Sequence, residues 1–346
     1  MMDTQAAAIE PSTVPPQAII LQMAMGPLVS QALGVAARLG IPDLLAAGEK
    51  HVDDIAAETG THAPSIYRIL RTLASAGVFA ETSPKSFINT LVSEALRSDV
   101  PGSMRNIMIF MAEPWHTLAW GNMMHSARTG ETAWKATYGE EVFDWLANHP
   151  AESEIFNAAM TDMSGFAGPA VAEAYDFSSI DTLADIAGGH GFLLSQILKA
   201  NPNVKGILFD LEHVIAGAGD MLERHGVADR VQTASGDFFK EVPPADAYIM
   251  KHIIHDWDDA RASAILQNIG TAMGARRGTV ILLESVIQSG PGPDLGKLID
   301  IEMLLWPGGR ERTAEEFRTL FDGAGCELTK IVPTKSPLSV IEAIRK

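Results

Sequence analysis

The last half of the chain is written as short apolar runs separated by amphipathic stretches. TLADIAG leads to a helical pattern ending near Lys199, VKGILFD to one ending near His225, RVQTASGD to ADAYIMKH, and a helix ending at Met273 to GTVILLESVI. Continuous apolar runs of this length suit strands buried on both faces, and their alternation with helical periodicity predicts a mainly parallel sheet covered by helices on both sides. The ending breaks the rhythm. After a helix predicted over Ala314 to Gly323, CELTKIVP and LSVIEAIRK are separated only by Thr334, Lys335, Ser336 and Pro337, too few residues for a crossover helix, so these two must pair antiparallel. The fold class expected is α/β, a doubly wound Rossmann-like sheet with an antiparallel last strand.

Upstream the pattern changes. VDDIAAETGTHAPSIYRILRTLASAGVFAET places Asp53 or Asp54 near a helix start, a turn at Gly60 and Pro64 at the opening of a second helix. That helix ends at Gly77 and leads into the strand-like VFAET, the outline of a winged helix-turn-helix. The window Ala18 to Leu39 is apolar on most faces but interrupted by Gln22, Gly26, Pro27, Ser30, Gln31, Gly34 and Arg38, which suits burial against another element or another subunit better than a membrane span. From Pro101 to Phe177 the text is helical and rich in Met, Trp and Phe. The organisation expected is a flexible tail over 1–17, an N-terminal, all-helical winged-helix dimerisation domain over 18–100, a helical connecting layer over 101–177 that lines a substrate pocket, and a ligand-binding α/β domain over 178–346.

Composition narrows the partners. Forty-three acidic against 26 basic residues give a formal net charge of −17, which repels nucleic acid and anionic membrane surfaces. Arg68 and Arg71 on the second helix of the winged motif keep a DNA-binding regulator as the alternative reading. A single cysteine, Cys326, offers neither a disulfide nor a thiolate metal cluster, and no basic leader precedes the apolar window; both point to a cytoplasmic protein.

The sharpest motif is an apolar strand ending in Asp185, the turn Ala187-Gly188-Gly189-His190-Gly191, and a second strand ending in Asp210. Glycines let the backbone turn tightly beside a ligand, and an acid at the second strand end accepts hydrogen bonds from ribose hydroxyls. The third glycine of the dinucleotide fingerprint is missing, since Leu194 stands three residues past Gly191. Close helix approach and a pyrophosphate cradle are therefore not encoded, which favours a nucleoside without phosphates such as S-adenosylmethionine. SGDFF adds Gly236, Asp237 and Phe238 on the adenine side. MKHIIHDWDD ends the fourth strand and crowds Lys251, His252, His255, Asp256 and Trp257 at the same rim. Methyl transfer to a hydroxyl needs a base, for which His255 is suited, and Glu284 and Glu311 are candidate carboxylate partners that orient the acceptor or steady the imidazolium. His252, His255 and Asp256 raise a metal site as a rival, but adjacent side chains diverge and the expectation is no metal.

Together, DIAGGHG, FDL with HVI, GDFF, KHIIHDWDD, PGGRERT and FNAAM resemble the metal-independent class I S-adenosylmethionine-dependent O-methyltransferases of small molecules, the caffeic acid and hydroxyindole type, from about Ala18 to Lys346. The resemblance implies S-adenosylmethionine as cofactor, held by Asp185, Gly188, Gly189, Asp210, Leu211, Gly236, Asp237, Phe238 and Lys251. It implies His255 as general base flanked by Glu284 and Glu311, and a small aromatic hydroxylated substrate lined by Asn157, Met160, Trp257 and Met303. It further implies an intertwined homodimer whose N-terminal helices complete the partner's pocket. Plant members read GGGTG where this chain has His190 in the turn, and some relatives turn the same cofactor to decarboxylation or hydroxylation.

Overall fold

The computed structural model describes residues 14–346. Apart from its last residues the expected tail lies outside the described part, and a helix is already under way at Pro16. The chain divides into two compact units, residues 1–97 and 98–346.

In the first unit the apolar window becomes one helix, Pro16–Arg38, with Pro27 inside it. It is long and apolar enough to cross a membrane by length and composition. Ile20, Leu21, Met23, Met25 and Leu28 are exposed along it. The helices Val52–Thr59 and Ala63–Ser75 meet across Gly60, whose φ of 65° ends the first one. Beside these helices lies a small sheet of β1 (Lys50–His51), β2 (Phe79–Ser83) and β3 (Ser86–Asn89), in the order β1-β3-β2. The VFAET stretch thus forms the wing as β2. Ile66, Leu70 and Leu73 lock the amphipathic second helix into its core.

The second unit carries a seven-stranded sheet. Its strands are β4 (Thr182–Ile186), β5 (Lys205–Asp210), β6 (Val231–Ser235), β7 (Ala247–Lys251), β8 (Thr279–Glu284), β9 (Cys326–Pro333) and β10 (Ser339–Arg345), in the order β6-β5-β4-β7-β8-β10-β9. β4 pairs parallel with β5 on one side and with β7 on the other, so the chain reverses its winding direction at β4. That switch point is where doubly wound sheets open a crevice at the carboxyl ends of their strands. β10 is inserted antiparallel between β8 and β9. Alternate residues feed two cores: Leu183, Leu208, Ile249 and Ile281 face one, and Ala184, Ile186, Tyr248 and Leu282 the other.

One expectation needs correction. Close approach of the helix Phe192–Ala200 to the sheet is built without the missing third glycine. Gly206 on β5 supplies the room instead, since a Cβ there would come within 3.0 Å of both Leu194 and Leu198. The helical region 101–177 belongs to the second unit. It packs Phe110, Trp134, Trp145, Leu146 and Ala159 into an aromatic core shared with Leu305 and Trp306.

Candidate active site

Two turns at the carboxyl edge of β4 and β7 define the site. Ala187 and His252, the non-glycine residues that follow these strands, both adopt left-handed backbone (φ 55° each). Such conformations cost of order 1–3 kcal/mol and persist where the surroundings force them. At the first turn Gly188 leaves no space for a side chain, because a Cβ would fall 2.6 Å from Asp185 and from Leu208. Gly189 (φ 60°) donates its N–H to Asp210 Oδ2 at 2.8 Å, and Leu211 donates its own to Oδ1 at 2.7 Å. Each oxygen keeps a further lone pair, and a Cβ on Gly189 would meet nothing, so this side is open.

Asp185, buried on β4, and Lys251, half-buried on the neighbouring β7, feel each other's charge. Burial pushes Asp185 up to about 7, against the pull of Lys251, and pushes Lys251 down to about 8, against the pull of Asp185 and Glu284. Asp185 Oδ2 is buried without a hydrogen-bond partner. Gly236 passes over Phe209, where a Cβ would come within 2.9 Å, and its N–H reaches the Asp210 carbonyl at 3.1 Å. Asp237 accepts from the Phe239 N–H at 2.9 Å, and Phe238 packs edge-on to Trp257 at 6.1 Å. A turn with no side-chain bulk, a carboxylate with spare lone pairs, an orphaned buried acid and an aromatic face fit an adenosine carrying a cationic tail.

The second turn, residues 252–257, is fastened from three sides. Glu284, closing β8, uses Oε1 to accept N–H groups of Ile253, Ile254 and His255 at 3.2, 3.0 and 3.4 Å. Arg312, fully buried, donates to the carbonyls of Ile254 (3.1 Å) and Trp257 (2.9 Å) and to Asp259. Gly309 lies flat on the turn: a Cβ there would stand 2.0 Å from the His255 carbonyl oxygen, and the next residue, Arg310, donates its N–H to that oxygen at 2.8 Å.

His255 is thereby locked. Its Nδ1 lies 2.6 Å from Glu311 Oε1 and 3.6 Å from Glu284 Oε2, and its Nε2 is 3.5 Å from Asp256 Oδ1. Both glutamate side chains are fully buried and turned toward this ring and its backbone. Burial alone would push His255 down, but the carboxylates of Glu284, Glu311 and Asp256 outweigh it and hold the ring up at about 10. Burial raises Glu284 to about 7 and Asp256 to about 6 despite the pull of His255. His252 stacks on His255 at 4.8 Å and, buried beside Lys251, is driven well below the ordinary imidazole range. Ligand-capable atoms of His255, Glu284 and Glu311 lie within 4.8 Å of one another. The 2.6 Å contact of Nδ1 with a carboxylate oxygen is, however, a hydrogen bond in which that nitrogen carries the proton.

The expected acceptor-side residues fall on different elements. Asn157 and Met160 share the helix Pro150–Ala174, Met160 packing against the aromatic core and Asn157 turned toward Ser153 (3.5 Å). Met303 is buried on the helix Leu295–Leu305, and its carbonyl accepts the Gly308 N–H at 2.9 Å. Trp257 sits against Phe143 (5.8 Å) and Phe239 (4.8 Å). Sequence reasoning missed Gly309, Arg312 and the pair His116–Glu302. A lone glutamate in the apolar run LIDIEMLLW and a histidine in PWHTLAW were the available signals for the pair.

Comparison with known proteins identifies the family. The O-methyltransferase domain family matches residues 115–327, and the O-methyltransferase dimerisation domain matches residues 21–99. A phenazine O-methyltransferase of Lysobacter antibioticus is 45% identical over 331 residues, spanning 95% of this chain and 96% of that protein. The structure of human N-acetylserotonin methyltransferase with S-adenosylmethionine superposes with a TM-score of 0.88 at 28% identity, covering 97% of this chain and 99% of that one. A methyltransferase from neocarzinostatin biosynthesis, solved with S-adenosylmethionine and 2-hydroxy-5-methyl naphthoic acid, superposes at 0.77 with 31% identity, covering 92% and 97%. S-adenosylmethionine is the cofactor, and the chain belongs to the S-adenosylmethionine-dependent O-methyltransferase family.

Proposed function

We propose that this enzyme methylates a hydroxyl of a flat aromatic small molecule, with His255 holding the proton that the hydroxyl gives up. The observation that carries this reading is the cage of Glu284, Glu311 and Asp256 around a buried imidazole. S-adenosylmethionine, held by the Gly188–Gly189 turn, Asp185, Asp210, Leu211, Gly236, Asp237, Phe238 and Lys251, supplies an electrophilic methyl group.

A free imidazole with a pKa near 6.5 accepts a phenol proton, pKa near 10, only at a cost of about 5 kcal/mol. Held up at about 10, His255 is matched to a phenol and the transfer becomes close to level. Glu311 holds the Nδ1–H, so Nε2 takes the acceptor proton in the molecules whose ring is neutral, a fraction that grows as pH rises toward 10. Glu284 adds its charge beside the ring and also holds, through three backbone N–H groups, the turn that carries it. Trp257, Met160, Met303 and Asn157 supply the surrounding wall. The relatives named for phenazine and naphthoate chemistry support a planar fused-ring acceptor. The exposed apolar residues of the helix Pro16–Arg38, within the matched dimerisation domain, support a second copy of the chain as their cover.

The test is mass spectrometry of 1-hydroxyphenazine and 2-naphthol incubated with enzyme and S-adenosylmethionine, with and without a chelator. One methyl gained on oxygen, insensitive to chelation and lost in His255→Ala, is the expected result. Methyl found on nitrogen, or turnover that dies with the chelator, overturns it.

A further inference from the structure

A second buried histidine–carboxylate pair lies in the helical layer, unused by the proton chemistry above. His116, on the helix Pro114–Trp120, is completely buried, and its Nε2 lies 2.5 Å from Glu302 Oε1. Trp120 Nε1 donates to the other oxygen, Glu302 Oε2, at 2.7 Å. The ring is enclosed by Phe110 (4.3 Å), Trp306 (4.9 Å) and Trp120 (5.1 Å). Its remaining nitrogen, Nδ1, is buried and has no hydrogen-bond partner. A polar atom stranded among aromatic rings is costly unless something pairs with it. The Glu302 side chain is 19% exposed, so the carboxylate end of the pair touches open space while the ring lies one layer beneath it. Aromatic contacts run from the turn of His255 to this point: Trp257 to Phe143 at 5.8 Å, Phe143 to Phe156 at 6.4 Å, Phe156 to Trp306 at 5.9 Å, and Trp306 to His116.

We propose that His116, oriented by Glu302 and Trp120, is a recognition residue that hydrogen-bonds a second hydroxyl on the fused-ring acceptor, distant from the hydroxyl that is methylated. This rests on the reading of the enzyme as acting on aromatic acceptors. A hydroxyl suits the site because it can donate to a bare Nδ1 or accept from a protonated one. The walls contribute ring faces, ring edges and the unpaired indole N–H of Trp306, so an acceptor lacking that hydroxyl leaves Nδ1 unpaired, and discrimination comes from the missing bond.

Two probes differ in that group alone: 2,6-dihydroxynaphthalene and 6-methyl-2-naphthol. Their binding is read by quenching of tryptophan fluorescence, in wild type and in His116→Gln, whose amide nitrogen can keep the bond to Glu302 while removing the Nδ1 position. Thermal melting and S-adenosylhomocysteine affinity are measured alongside. Wild type is expected to bind the diol about tenfold tighter than the methyl analogue. The variant is expected to bind both equally, with melting temperature and S-adenosylhomocysteine affinity unchanged. The inference is overturned if wild type does not discriminate, if the variant keeps the discrimination, or if it weakens both probes alike while melting early. Methyl transfer to each probe is followed in the same samples. Selective binding without methylation sinks the proposed function and leaves the recognition role standing, whereas methylation without selectivity does the reverse.

Discussion

Two buried imidazoles, each facing a glutamate at short range, sit in opposite surroundings. His255 has three carboxylates around it and its turn is bound by Glu284, Arg312 and Gly309. His116 has one carboxylate and a wall of rings. A ring caged by negative charge has its proton affinity raised and becomes an instrument for moving protons. A ring caged by π-faces gains shape and a single directed polar atom, which suits selection among ligands. The same residue pair is therefore suited to different work according to what lies one layer further out.

The widest separation between the two should come from deletion. His255→Ala is expected to lower kcat by about 10²–10⁴-fold, the usual worth of a positioned base. Calorimetric affinity for S-adenosylhomocysteine should stay within about twofold, since the turn of Gly188 and Gly189 is untouched; near-normal turnover would end the assignment.

Gly309→Ala should act next most strongly, because the added methyl has to displace the carbonyl of His255. We expect kcat to fall at least tenfold with KM for S-adenosylmethionine unchanged, and melting to drop by several degrees from about 1–3 kcal/mol of overpacking. The matching change at Gly189, where a Cβ meets no atom but φ is 60°, should instead weaken cofactor binding.

Glu311→Gln tests the charge itself. With one carboxylate neutralised, His255 loses part of what holds it at about 10, so the rise of kcat with pH should shift toward lower pH and level off lower. His116→Gln should leave that profile where it is. A shift in the second variant, or none in the first, would erase the distinction.

The smallest effect is on stability. A histidine whose folded value is raised from 6.5 to about 10 stabilises the fold fully below 6.5 and loses that contribution as pH rises through 10. Wild type should therefore out-melt His255→Gln most clearly near pH 6, with the gap closing by pH 10. A gap that widened with pH would contradict the sign.

Much of the architecture was legible in the sequence because local signals encode it. Strand periodicity, the brief Thr334–Pro337 link and the helical stretch from Ala314 to Gly323 each report on neighbours in the chain. So did the rim residues Asp185, Asp210, Lys251 and His255, since carboxyl ends of parallel strands must share one edge. What stayed hidden depends on distant partners. Glu302 meets His116 across 186 positions, and Gly309 lies on a turn 54 residues earlier in the chain. Nor did any motif show that Glu284 spends one oxygen on three backbone N–H groups, or that Gly206 rather than a third loop glycine admits the helix.

The flat contact of Gly309 with the His255 carbonyl also has a bearing on protein engineering. The segment that presents Glu302 and Trp306 continues straight into that contact, so loops transplanted to broaden the range of compounds accepted cannot be chosen for their lining alone. A graft beginning at 302 has to keep a bare α-carbon seven residues later, or the transplanted wall will arrive with a displaced imidazole.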